Sequence, residues 1–273
     1  MKQIKYSYKN LPIPGGGYVT GFLFHPEREN LLYIRTDIGG SYRYCYEDNK
    51  WISLTESVDM FDLSETYPIA LAVDENKPAR LLVASGVNGR DGKETKGKLS
   101  ISDDFGNTFF HKELPCYVHG NWNGRGTGPR LVVDPVNENG IYFASQKDGL
   151  LYSPDLGDSW KKLDTGSETY MTLVWCSPDG DTVVAGTAGV VTGTENMRGH
   201  SLYISYDKGR NFEPMIMPEN VAVEGSKWIG YVAHRIDFDG KYLYVTLVNT
   251  GEHSYVTEMG YSCDSGDSLG GRI

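Results

Sequence analysis

The sequence predicts an all-β protein built from repeated four-stranded antiparallel units, and three observations lead to that fold class. Strand-like runs recur: Leu31-Leu32-Tyr33-Ile34-Arg35, Arg80-Leu81-Leu82-Val83-Ala84, Gly140-Ile141-Tyr142-Phe143-Ala144, Thr182-Val183-Val184-Ala185-Gly186 and Tyr242-Leu243-Tyr244-Val245-Thr246. A turn motif follows them at near-constant spacing: Ser102-Asp103-Asp104-Phe105-Gly106-Asn107-Thr108-Phe109, Ser153-Pro154-Asp155-Leu156-Gly157-Asp158-Ser159-Trp160 and Ser205-Tyr206-Asp207-Lys208-Gly209-Arg210-Asn211-Phe212. Helical 3.6-residue periodicity is nearly absent.

Each element of the unit has its own signal. Strand 1 is an apolar stretch closed by Asp, Asn, Gly or Pro, as in Leu131-Val132-Val133-Asp134-Pro135,. Strand 2 carries the landmark residue Tyr33, Leu82, Tyr142, Val184 or Tyr244. Strand 3 leads into the Ser-x-Asp-x-Gly turn, where the carboxylate accepts backbone N–H bonds and glycine supports a positive φ. Strand 4 follows the aromatic: Trp160-Lys161-Lys162-Leu163 matches Trp51-Ile52-Ser53-Leu54. Ser262-Cys263-Asp264-Ser265-Gly266-Asp267-Ser268 is a fourth copy of the turn without the aromatic.

The turn motif resembles the Asp-box, or BNR repeat, of sialidase-like β-propellers. That resemblance implies four-stranded blades about an axis, at about 18–54, 68–114, 128–163, 170–214 and 230–273. Asp104, Asp155 and Asp207 are then structural. The segment 6–13, with Tyr8-Lys9-Asn10-Leu11, reads as an orphan strand 4 from a blade begun at the far end of the ring,. About five blades of a ring of seven are expected. The last stops near its third strand, at Gly270-Gly271-Arg272-Ile273. An unclosed ring of this kind leads us to expect a fragment or a truncated gene product.

Composition narrows the function. The 273 residues are 39% hydrophobic and 23% charged, enough for a sizeable core,. A formal charge of −10 with no basic stripe excludes a nucleic-acid partner,. No apolar run is long enough to span a membrane. Met1-Lys2-Gln3-Ile4-Lys5-Tyr6 lacks an apolar signal core, so any export signal is expected to be absent or removed, and the location stays open,. Cys45, Cys116, Cys176 and Cys263 are too far apart for a metal knuckle and read as isolated thiols, although a disulfide stays open,. The six histidines show no metal-ligand spacing, with His25 and His119 read as structural,. No metal or cofactor is therefore expected.

One residue breaks the internal pattern. Four positions past the landmark, the later units have Gly86, Gln146, Ala188 and Val248, whereas the first has Asp37. A lone carboxylate at the end of one repeated strand suggests chemistry added to a scaffold. In a meander of hairpins, the turns alternate between two faces. Asp37 shares its face with the blade-to-blade loop Cys116-Tyr117-Val118-His119-Gly120-Asn121-Trp122-Asn123-Gly124-Arg125-Gly126-Thr127-Gly128. Aromatic, amide and guanidinium groups on a glycine-rich loop suit a sugar, with the ring face on Trp122 and hydroxyls on Asn121 and Arg125. The other blade-to-blade loop carries Asp59, Phe61 and Asp62. Each candidate has an ordinary structural reading as well: a turn aspartate for Asp37, inter-blade packing for Trp122, loop bracing for Arg125 and core packing for Phe61.

The segments Gly15-Gly16-Gly17-Tyr18-Val19-Thr20-Gly21, Phe24-His25-Pro26 and Tyr33-Ile34-Arg35-Thr36-Asp37-Ile38-Gly39-Gly40-Ser41-Tyr42-Arg43 closely resemble the start of glycoside hydrolase family 74. Gly120-Asn121, Gly124-Arg125-Gly126-Thr127-Gly128 and Arg130-Leu131-Val132-Val133-Asp134-Pro135 extend the match. The resemblance implies xyloglucanases and related oligoxyloglucan-specific enzymes, secreted, with two seven-bladed propellers facing each other across a cleft. It implies inverting cleavage of the β-1,4-glucan backbone of xyloglucan. Asp37 matches the general base, and the general acid belongs to a second propeller missing from this chain. The isolated chain is then expected to be inactive. Two rivals stand beside this reading: a non-catalytic glycan-binding propeller, and a sialidase-like exo-glycosidase, for which no Arg-Ile-Pro signature is present near the N-terminus.

Overall fold

The structure, a computed structural model, describes residues 10, 12–55, 62–122, 124–166, 170–190, 197–215, 231–238, 243–251, 254–264 and 268–271, with side chains described up to 187 and over 202–215. The described residues form five antiparallel sheets of four strands, each sheet a meander of consecutive strands. The first holds β1 (Val19–Phe24), β2 (Leu32–Thr36), β3 (Ser41–Cys45) and β4 (Lys50–Ser53). The second holds β5 (Pro68–Val73), β6 (Leu81–Ser85), β7 (Lys96–Ser102) and β8 (Phe110–Tyr117). The third holds β9 (Leu131–Val133), β10 (Ile141–Ala144), β11 (Leu150–Ser153) and β12 (Lys161–Leu163). The fourth holds β13 (Tyr170–Cys176), β14 (Val183–Val190), β15 (Met197–Ser205) and β16 (Glu213–Pro214). The fifth holds β17 (Tyr231–Phe238), β18 (Leu243–Gly251), β19 (Ser254–Asp264) and β20 (Ser268–Gly271). The fold is the all-β propeller class.

One expectation is corrected. The last unit does not stop at its third strand: β20 pairs with β19 through Tyr261 with Gly271 and Asp264 with Ser268. Its glycines and missing aromatic hide a short strand from pattern reading, because backbone pairing alone defines it. The proposed N-terminal strand 6–13 falls largely outside the described residues.

The core lies between sheets. Side chains alternate along a strand, so a strand covered on both faces reads as a continuous apolar run. In β2, Tyr33 joins Leu71, Leu81 and Val83 of the second sheet, while Leu32 and Ile34 pack with Tyr42, Tyr44 and Trp51. In β6, Leu82 and Ala84 turn the other way, to Leu131, Ile141 and Phe143 of the third sheet. In β10, Tyr142 and Ala144 then meet Met171, Val174 and Val183 of the fourth.

The β7–β8, β11–β12 and β15–β16 turns share one geometry. Ser102 Oγ accepts from Gly106 N and donates to Asp104 Oδ1, both at 2.8 Å. Asp104 also accepts from Thr108 N at 2.8 Å and from Thr108 Oγ1 at 2.6 Å. Asp155 and Asp207 make the equivalent bonds to Ser159 and Asn211. Hydrogen bonds to the ionised form, led by Thr108 Oγ1, lower the Asp104 pKa to about 2. Asp155 and Asp207 are likewise drawn down to about 2. These bonds leave the turn carboxylates with a structural task, on the face opposite the β2–β3 turn.

Candidate functional site

Asp37 stands immediately after β2, where the strand leaves the sheet. Thr36 fixes the turn: its Oγ1 accepts from Gly39 N at 2.8 Å and donates to Gly40 O at 3.0 Å. The Asp37 N–H donates to Tyr18 O at 3.0 Å, and Tyr18 N–H donates back to Asp37 Oδ1 at 2.7 Å. Gly17 takes φ +96°, and a Cβ there would come within 2.9 Å of Asp37 Oδ1. The carboxylate is thus pinned through one oxygen and largely buried, at 11% side-chain exposure. Tyr18 and Ile38 beside it leave large apolar side chains exposed.

The long loop after β8 reaches Asp37. Arg125 Nε lies 3.5 Å from Asp37 Oδ2, an ion pair in which the arginine side chain is 40% exposed. Arg35, two residues before Asp37 and within β2, holds the same stretch from below. Its Nη1 donates to Thr20 Oγ1 at 2.6 Å and to Arg125 O at 2.8 Å, and its Nη2 donates to Thr127 O at 3.3 Å. Arg130 completes the support, donating to Ala144 O at 3.0 Å and to Gly124 O at 3.3 Å. Both buried guanidiniums are served chiefly by carbonyls. Burial draws the Arg35 pKa down to about 10; burial, then the charge of Arg35, draws Arg130 down to about 9.

The positions equivalent to Asp37 in the next two sheets hold the near end of this loop. Gly86 N donates to Tyr67 O at 3.1 Å, and Gly120 N donates to Gly86 O at 2.9 Å. Gln146 brackets His119: His119 N donates to Gln146 Oε1 at 2.7 Å, and Gln146 Nε2 donates to His119 O at 3.0 Å. Asn121 N donates to His119 Nδ1 at 3.2 Å, and the Asn121 side chain is exposed. The half-exposed Trp122 ring meets Tyr117 edge to face at 6.2 Å. His119 sits against Tyr67 at 5.9 Å.

Of the sequence candidates, Asp37 and Arg125 are brought together. Asn121 and Trp122 share the loop with Arg125 and stand nearer its aromatic end. Phe61 and Asp59 lie outside the described residues, as does Asn123. Asp62 caps a short 3-10 turn, Leu63–Thr66, accepting from Ser64 N at 3.0 Å and from Lys98 Nζ at 2.8 Å. Among the described residues no His, Cys, Asp or Glu group has the geometry to hold a metal ion. Sequence reasoning missed Arg35, Arg130 and Gln146. Two arginines and a glutamine at the ends of otherwise apolar strands were the signal available.

No family model matches the chain. A xyloglucanase of a Paenibacillus species is 33% identical over 264 residues, which are 89% of this chain and 25% of that protein. An oligoxyloglucan-reducing end-specific xyloglucanase of Emericella nidulans is 31% identical over 219 residues, 78% of this chain and 26% of that one. The solved structure of a glycoside hydrolase family 74 enzyme of Niastella koreensis superposes with a TM-score of 0.76 at 26% identity, covering 94% of this chain and 37% of that one. The chain therefore spans about a quarter of the length of the relatives it matches.

Proposed function

The chain belongs with the glycoside hydrolase family 74 proteins, and from that kinship we propose that it is the base-bearing propeller of an enzyme cleaving the β-1,4-glucan backbone of xyloglucan with inversion. The observation that carries the reading is the placing of Asp37. Its Oδ1 is bound by Tyr18 N–H at 2.7 Å, which leaves Oδ2 as the oxygen turned toward the loop.

In this mechanism Asp37 Oδ2 takes a proton from a water molecule as the water oxygen attacks the anomeric carbon. The glycosidic oxygen leaves toward the opposite face of the sugar, where an acid protonates it. That acid belongs to a second propeller, with the two carboxyls about 6.5–9.5 Å apart to admit the water. Trp122 offers a ring face for a glucosyl unit, and Asn121 offers an exposed amide for its hydroxyls. No step calls for a metal or cofactor.

The test is Asp37→Asn in an enzyme that carries this chain together with its second propeller. The amide keeps the side-chain size but is too weakly basic to accept the water proton, so kcat should fall about 10²–10⁴-fold. Affinity for a xyloglucan oligosaccharide, measured by calorimetry, should hardly change. Near-normal turnover by the variant would make Asp37 a turn residue and sink the reading.

A further inference from the structure

We infer that Arg125 serves the reaction as a positioning residue for Asp37, and that the buried Arg35 puts it there; the inference rests on Asp37 being the base. A carboxylate acting as a base must present one lone pair to a water within about 2.6–3.2 Å. Rotation of the carboxyl about its last bond would lose that alignment. Two contacts oppose the rotation: Tyr18 N–H on Oδ1 at 2.7 Å and Arg125 Nε 3.5 Å from Oδ2. Without Arg125, one oxygen is tied and the other is unguided.

The position of Arg125 is set from beneath. An arginine loses much hydration on full burial, and each of its donors then needs an acceptor. Arg35 meets that demand with Thr20 Oγ1 and the carbonyls of Arg125 and Thr127, contacts that reach ninety residues along the chain. One guanidinium fork therefore spans two carbonyls of the segment that carries Arg125, which the compact ammonium of lysine reproduces poorly. Arg130 adds a third carbonyl, Gly124 O. The base and the backbone beneath its cationic neighbour are thus fixed by a single strand end, through Asp37 and Arg35.

The test compares Arg125→Ala, Arg125→Lys, Arg35→Lys and Asp37→Asn in the enzyme containing this chain and its second propeller. Arg125→Ala should lower kcat about 10–100-fold, the scale expected for a misplaced reacting group. Its KM and its calorimetric affinity for a xyloglucan oligosaccharide should stay within about twofold, as for loss of an interaction made in the transition state. Arg125→Lys should fall between Arg125→Ala and the parent, and millimolar guanidinium should restore part of the Arg125→Ala rate. Arg35→Lys should repeat the kcat-only pattern and add little to Arg125→Ala in the double variant. Arg125 is half exposed and tests the idea even if Arg35→Lys folds poorly. A raised KM and weakened oligosaccharide binding at unchanged kcat would make Arg125 a substrate ligand and overturn the inference. An inactive Asp37→Asn beside an unimpaired Arg125→Ala would overturn the inference alone. An active Asp37→Asn would remove the base assignment and the inference with it.

Discussion

Gly17 and Gly39 let two stretches of backbone close on the Asp37 turn. A Cβ on Gly39 would stand 1.9 Å from Gly16 O, closer than any side chain permits. Gly17 has φ +96°, a conformation that L side chains seldom adopt, and sits under Asp37 Oδ1,. The adjoining residue, Tyr18, supplies the N–H that holds that oxygen. Gly17→Ala should therefore act twice, straining the backbone and pushing the carboxylate off its donor. We expect a loss of about 1–3 kcal/mol in urea denaturation, with a fall in turnover of the full enzyme. Unchanged stability and rate would show that the close approach has no bearing on Asp37. The glycine run and the lone Asp were both legible in the sequence. Their contact was not, because it joins segments that only the β1–β2 pairing brings side by side.

At the scale of strands and turns, the recurring apolar runs and the Ser-x-Asp-x-Gly spacing were enough to place the landmark residues in β2, β6, β10, β14 and β18. The strand ends were harder to read. Asp37, Gly86 and Gln146 are three unlike residues at one repeat position, yet all three engage the loops around 119–125. Equivalent positions with unlike residues give pattern reading no common signal, and their shared task appears only in space. The turns behave differently, since their partners lie within four residues and the motif carries its own explanation. In the β11–β12 turn, the bonds from Ser159 Oγ and N lower the Asp155 pKa to about 2. An unfolded aspartate titrates near 3.9. The contribution is therefore complete above that value and is lost as pH falls through about 2. Asp155→Asn should lower Tm at pH 6, and the gap from the parent should close on acidification toward pH 2. A gap of constant size across that range would show that the ionised form of Asp155 gives the turn nothing.

Across the whole molecule, the second and third sheets are partitions with apolar residues on both sides. Leu82 lies in the layer between the second and third sheets, and Met171 in the layer between the third and fourth; both are fully buried. This arrangement bears on the site, because the loop with Arg125 is anchored on the first, second and third sheets together. A shift of one sheet against the next would separate Asp37 from Arg125 without touching either. Leu82→Ala and Met171→Ala should each cost about 2–5 kcal/mol, from lost transfer energy and the cavity left behind. The two clusters share no residue, so the double variant should lose the sum of the single losses within about 0.5 kcal/mol,. Leu82→Ala loosens the layer between the second and third sheets, both of which anchor the loop, whereas Met171→Ala loosens a layer that touches only the third of them. It should therefore reduce turnover of the full enzyme more than Met171→Ala does at matched stability loss. Urea denaturation followed by tryptophan fluorescence, alongside xyloglucan turnover, measures both quantities. A strongly non-additive double variant would mean that the layers relax into one another. Equal losses of turnover would mean that the site does not depend on how the first three sheets are packed.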